Sequence, residues 1–253
     1  LKPCFLVVTA WMISASKEIN GPPGKIISFV LTIVISVFLV FQPDFGQACL
    51  ILFGWSVVYF TAGAHILLLV GVAAVTIGLG SFAYNYSEHF ARRIDGFLSP
   101  DLDPKTQLGY ATNAIQEGGF FGVGVGEGQV KWSLPDAHTD FIIAVAAEEY
   151  GFVLVGLILT TYAAIVCISL ARLLRERDIF VRLAGTGLVC MFGIQAVINI
   201  GVAARLLPAK GMTLPFVSYG GSSLIAGGIS IGILLALTRS RPQKNVADIF
   251  IKG

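Results

Sequence analysis

The stretch IISFVLTIVISVFLVFQPDFGQACLILFGWSVVYF, Ile26 to Phe60, is apolar almost throughout except at QPDFG, 42–46. Proline removes a helical donor and disfavours helix in the residue before it, so Pro43 with Gly46 divides the run into two helices joined by a tight turn. Each half is close to the length that crosses a bilayer, about 20 mostly apolar residues and fewer where the flanks snorkel. The same test reads spans at 1–15, 26–41, 46–62, 65–84, 139–170, 180–204 and 220–238. The expected fold is an all-α polytopic membrane protein with about seven transmembrane helices, forming one integral-membrane domain over 1–253.

Composition agrees. The chain has 253 residues, 13% of them charged, and its mean hydropathy of +0.81 lies outside soluble globular usage. A net charge of +2, with no basic stripe interleaved with aromatics, argues against nucleic acid as a partner. Cys4, Cys49, Cys167 and Cys190 all lie in apolar runs without CxxC spacing and read as small membrane-buried hydrophobes. The chain opens on Leu1 and enters an apolar segment at once, without signal-peptide grammar, so an N-terminal part of a longer protein is expected to precede it.

One long hydrophilic segment, 84–138, reads as a single large loop. Lys and Arg in short loops resist translocation, so ARLLRERDIFVR at 171–182 and the tail with Arg239, Arg241 and Lys244 are expected on the cytoplasmic side. Counting back places the large loop, the 42–46 turn and the segment around Lys210 together on the outer face. The C-terminus is then cytoplasmic.

Three constellations on that face carry charge or irregular backbone. In SLPDAHTDFIIAVAAEEYG, 133–151, Pro135, Asp136 and Thr139 suit a helix entry with Thr139 as N-cap, and acids there are favoured by the helix dipole. Asp140, however, is followed at once by Phe141, Ile142 and Ile143. An ionisable group at the edge of an apolar span is a functional candidate, and partial desolvation would suit its carboxylate to general-base work. Glu148 and Glu149, deeper in the run, are expected in an ion pair or a polar network of the bundle. GGFFGVGVGEG, 118–128, matches neither GxGxxG nor GxxxxGK[ST] and reads as a flexible surface loop with Phe120 and Phe121 near the headgroups.

The third constellation, LLPAKGMTLPFVSYGGSS at 206–223, holds too many Pro and Gly for a regular helix. Irregular backbone at membrane depth is tolerated where it is buried in protein or lines a wet cavity. Lys210 there is either a ligand for an anionic head group or a snorkelling lysine; Ser222 and Ser223 either present hydroxyls at a helix start or allow close packing. Gln195 and Asn199, four apart on one helix, suit interhelical hydrogen bonds.

Together with ARRIDGFLSPDLDP (91–104) and GGFFGVGVGEGQVKW (118–132), the segments LPDAHTDFIIAVAAEEYG, QPDFG and LLPAKGMTLPFVSYGGSS resemble the SEDS family of bacterial cell-wall proteins, and within it the cell-division branch. The resemblance runs in order along nearly the whole chain. It implies a SEDS fold of about ten membrane helices, of which these would be the last seven, with one large extracytoplasmic loop. It further implies a peptidoglycan glycosyltransferase that polymerises lipid II at the outer face of the bacterial inner membrane. Its expected partners are a class B penicillin-binding protein transpeptidase and other membrane proteins of the division machinery.

Carried over by position, Asp140 is the carboxylate essential for polymerisation. Asp44, Lys210, Ser222 and Ser223 fall at the substrate, as do Arg92, Gln107 and Lys131 of the large loop. Ala203 and Arg205 depart from the family pattern, which there has Asn and a small residue. The mechanism implied is an inverting transfer with Asp140 as general base, or alternatively as ligand to a divalent metal, Mg²⁺ or Mn²⁺. The rivals are a lipid II flippase using the same cavity and a scaffold without catalysis.

Overall fold

The computed structural model describes residues 1–19, 21–42, 44–98, 106–208 and 211–239. They form nine α-helices in the order α1 (Lys2–Ala15), α2 (Gly24–Phe41), α3 (Phe45–Thr61), α4 (Ile66–Tyr86), α5 (Glu88–Leu98), α6 (Gln107–Gly118), α7 (Ile142–Leu173), α8 (Ile179–Ala203) and α9 (Gly221–Thr238), with a short 3-10 turn at Val130–Trp132. The seven apolar helices coincide with the seven runs read from the sequence. Of these, α2, α7, α8 and α9 are long and apolar enough to cross a membrane by length and composition, while α1 and α3 are shorter.

Helix α2 turns its bulky apolar side chains outward. In α2 the buried positions are Gly24, Ser28, Thr32 and Ser36, one every four residues, while Val30, Val37 and Phe38 are exposed. Small residues on one face let backbones approach, and the bulky face is left for lipid. Trp55 of α3 takes advantage of that approach, donating its Nε1–H to Ser28 Oγ at 3.3 Å. The densest core lies where α1, α3 and α8 meet, around Leu6, Ile13, Trp55, Val58, Leu183 and Met191. A Cβ at Gly54 would fall 2.7 Å from Met191 Cε and 2.8 Å from Leu6 Cδ2, so glycine there lets these two flexible side-chain ends close on α3.

Two readings change in the structure. Among its described residues the 84–138 segment carries two helices of its own: α5 packs on α4, and α6 packs on α7 through Leu108, Ala111 and Ala114. The amphipathic period of α6 is short, only 12 residues, and was hidden by the polar composition around it. The run read as one span from 139 is also two helical pieces, because Gly151 has φ 72°, ψ −173° inside α7.

That break frees backbone groups, and the glycine-rich segment takes them. The N–H groups of Val123 and Gly124 donate to the carbonyls of Glu148 and Glu149 (2.9 and 3.2 Å), while those of Phe152 and Val153 donate back to Gly119 and Phe120 (3.0 and 3.3 Å). Added Cβ atoms at Gly118 and Gly122 would lie 1.9 Å from Ala147 O and 2.1 Å from Glu149 O. Gly118 and Gly122 therefore serve close backbone contact, in a segment pinned by four hydrogen bonds where a loose loop was expected.

Gly122 has φ +80° as well as that contact, so Gly122→Ala should cost about 2 kcal/mol or more. Gly156, on the same helix with nothing within 4 Å of an added Cβ, should accept alanine at no cost. Thermal melts of the two variants in detergent should separate clearly, with Gly122→Ala the lower.

Candidate active site

The segment before α7 curls around one carbonyl. Asp136 adopts φ 56°, and its oxygen accepts from the N–H groups of Thr139, Asp140 and Phe141 and from Thr139 Oγ1. Helix α7 consequently starts at Ile142 with Phe141 as N-cap, two residues later than the Thr139 cap expected from the sequence. The hydroxyl of Thr139 is turned back into the preceding turn instead.

The curl leaves three successive carbonyls facing the α8–α9 junction. His138 O accepts from Tyr219 N–H (2.8 Å), Thr139 O from Ser218 Oγ (2.5 Å) and Asp140 O from Asn199 Nδ2 (3.0 Å). Asn199 is 1% exposed and its amide also donates to Met212 O at 2.6 Å, so one side chain ties the helix, the irregular strap and the Asp140 turn together. Ser218 Oγ in turn accepts from Leu214 N–H, and the Tyr162 hydroxyl of α7 donates to Pro215 O. Residues 211–219 are thus irregular backbone tied down by hydrogen bonds, with Met212, Leu214 and Pro215 buried.

Its consequence is the placement of one carboxylate. Asp140 is half-buried, and its Oδ2 would lie 3.1 Å from a Cβ at Gly211. Gly211 and Met212 border two cavities, of about 420 and 470 Å³, which also share Asp44 and Gln47. The first is lined by Ser222, Ser223, Gln195 and Lys2 from α9, α8 and α1; the second runs between α3 and the α4–α5 pair. Asp44 caps α3, accepting from Gln47 N–H at 3.1 Å. Gln47 Oε1 is buried with no hydrogen-bond partner among the described residues.

The structure therefore brings Asp44, Ser222 and Ser223 to one cavity; Asp140 lines neither cavity itself and sits beside Gly211, which borders both. Ser223 Oγ lies 2.7 Å from Thr213 Oγ1. Lys210 lies outside the described residues. Arg92 is on the exposed face of α5, 3.7 Å from Glu88, and Gln107 is exposed at the first position of α6; neither lines either cavity.

Lys131 is redirected as well. It pairs with Glu149, with both side chains largely covered, while Glu148, fully buried, accepts from Val130 and Lys131 N–H at 2.8 and 3.1 Å. This is the internal network expected for the two glutamates, and it uses the lysine that position alone had assigned to substrate. A charged side chain so covered is retained by its partner, since an unpaired one would be costly. What the sequence reading missed is the role of Ser218 and Gly211. The irregular SYGGSS run signalled the first, and nothing short of the fold signals the second.

Residues 1–243 match the family described as "Cell cycle protein", FtsW/RodA/SpoVE. The chain belongs to the FtsW/RodA/SpoVE family. It is 42% identical over 243 residues to the "Probable peptidoglycan glycosyltransferase FtsW" of Caulobacter vibrioides, covering 96% of this chain and 62% of that relative. It is 36% identical to the "Stage V sporulation protein E" of Bacillus subtilis, covering 94% and 69%.

Among solved structures, a chain described under "Structural coordination of polymerization and crosslinking by a peptidoglycan synthase complex" superposes with a TM-score of 0.77 at 33% identity, covering 96% of this chain and 69% of that one. The rod shape determining protein RodA of Thermus thermophilus gives 0.64 at 30% identity, covering 95% and 64%. The chain spans about three fifths of the length of the first FtsW relatives it matches. The apolar helices and the family membership make it a multi-pass membrane protein.

Asn199→Ala removes both amide donations and leaves two carbonyls of a buried junction unsatisfied, a loss of about 1–3 kcal/mol. Its melting temperature should fall measurably below that of wild type, whereas Gln107→Ala, at an exposed position, should melt as wild type.

Proposed function

We propose that this chain carries the active site of a peptidoglycan glycosyltransferase that polymerises lipid II at the outer face of the bacterial inner membrane. The observation that carries the reading is the Asp140 carboxylate, beside Gly211 on a turn whose backbone is held by Asn199 and Ser218, at the edge of a cavity system in an apolar bundle. A lipid-linked sugar has the matching halves, a polyprenyl tail for the apolar part and a polar head for the outer edge. The names of the relatives support the same class of reaction.

In this mechanism Asp140 accepts the proton of the acceptor sugar's 4-hydroxyl. The oxygen so activated attacks the anomeric carbon of the donor from the side opposite its lipid pyrophosphate. The new glycosidic bond forms as the carbon–oxygen bond to pyrophosphate breaks, so configuration inverts and the lipid pyrophosphate leaves with the electron pair. Ser222 and Ser223, at the start of α9 and on the first cavity, would meet polar groups of a bound head group. Removing a placed base typically costs about 10² to 10⁴ in rate.

Among the described residues no three His, Cys, Asp or Glu side chains converge as a metal cage. A divalent ion, Mg²⁺ or Mn²⁺, would accordingly have Asp140 as its protein carboxylate and draw its other ligands from pyrophosphate and water, as Mg²⁺ commonly does. A class B penicillin-binding protein transpeptidase is the proposed partner, and the C-terminus is proposed to be cytoplasmic. The superposed chain comes from a synthase complex described as coordinating polymerization with crosslinking, which supports the pairing.

The test is glycan-strand synthesis from purified lipid II by the full-length protein with its transpeptidase. Asp140→Ala should lose at least about 10²-fold in rate while melting as wild type. A variant that polymerises at the wild-type rate would overturn the assignment, and a chelator arm reports on the metal.

A further inference from the structure

The break at Gly151 divides α7 into parts of unequal length. Residues 152–173 make about 22 helical residues, roughly 33 Å at 1.5 Å per residue, which already covers a hydrocarbon core of about 30 Å. The only basic residue of this part, Arg172, lies at its far end. Residues 142–150 are then not needed to span. They carry the buried Glu148 and the Glu149–Lys131 pair, groups that belong outside hydrocarbon. The bilayer boundary thus falls at the break itself.

The glycine-rich segment is hydrogen-bonded to both sides of that break, and it presents apolar side chains there, well exposed among the described residues. Phe120 is 74% and Phe121 84% exposed, next to Phe152 and Val153 at the head of the spanning part, themselves 47% and 57% exposed. The Phe120 and Phe152 rings are 6.3 Å apart, edge to face, so the loop's apolar surface continues the lipid-facing surface of the helix. Soluble surfaces avoid such clusters, whereas ring side chains gather at the membrane–water boundary.

From this continuity we infer that the 119–124 segment is a membrane-interface anchor, with Phe120 and Phe121 seated in the outer-leaflet headgroup and upper acyl region. The inference goes beyond the proposed reaction and does not depend on it. Four backbone hydrogen bonds join the segment to 148–153, which leads through about nine helical residues to Asp140. The seated rings thereby set the height of the Asp140 turn above the lipid surface.

The full chain is reconstituted in nanodiscs of phosphatidylcholine, with or without bromine on the upper acyl chain, and Trp is introduced by Phe121→Trp. Emission is taken as the difference from wild type, which carries Trp11, Trp55 and Trp132. Most of the emission that Phe121→Trp adds should be lost in brominated lipid and spared by aqueous iodide, while Gln107→Trp should show the reverse. Phe120→Trp repeats the measurement should the first variant fold poorly. Quenching of both loop variants by iodide and not by bromine would overturn the inference. So would protection from both quenchers, which would mean that another protein surface covers the rings.

Discussion

Three consecutive carbonyls, those of His138, Thr139 and Asp140, each accept a hydrogen bond from the α8–α9 junction. Most of the functional arrangement depends on this ladder. A carboxylate on a turn before a helix would ordinarily sample several positions; here its backbone is held from the far side by Tyr219, Ser218 and Asn199. The constraint is mutual, because the same contacts hold a segment too rich in glycine and proline to order itself. Buried backbone groups need partners in such surroundings, and each irregular stretch supplies the other's.

The break at Gly151 obeys the same logic. Interrupting a helix strands carbonyls and N–H groups, and the glycine-rich segment answers them with its own backbone. Glycine at 118 and 122 is required because any side chain would collide with the carbonyls of Ala147 and Glu149. The buried Glu148 then closes the arrangement by accepting two N–H groups of the 3-10 turn. Charge in the 133–151 stretch therefore has two uses: Glu148 and Glu149 build the scaffold, and Asp140 is left at the cavity edge.

The helices were legible because lipid imposes a simple rule. Apolar runs of the right length, divided at Pro43 and Gly46, placed all seven apolar helices, and Asp44 was found capping α3 in the turn between two of them. The glutamate network was legible for a related reason, since charge inside a bundle must be paired. What stayed hidden has no local signature. Helix α6 owes its place to packing against α7, and Lys131 matched a substrate position yet pairs with Glu149 across 18 residues. Gly211 matters only because Asp140, 71 positions earlier in the chain, comes beside it. Contacts of that range belong to the fold and cannot be read from neighbouring residues.

The most direct measurement is the steady-state rate of lipid II polymerisation by Ser218→Ala with the transpeptidase present, taken well below the variant's own melting transition. Ser218 touches the Thr139 carbonyl and Leu214 N–H and is not placed on substrate. If the carbonyl ladder positions Asp140, loss of this rung should lower kcat about ten- to a hundredfold with little change in KM, as small misplacements of reacting groups do. A folded Ser218→Ala protein with wild-type kcat would contradict that role for the ladder.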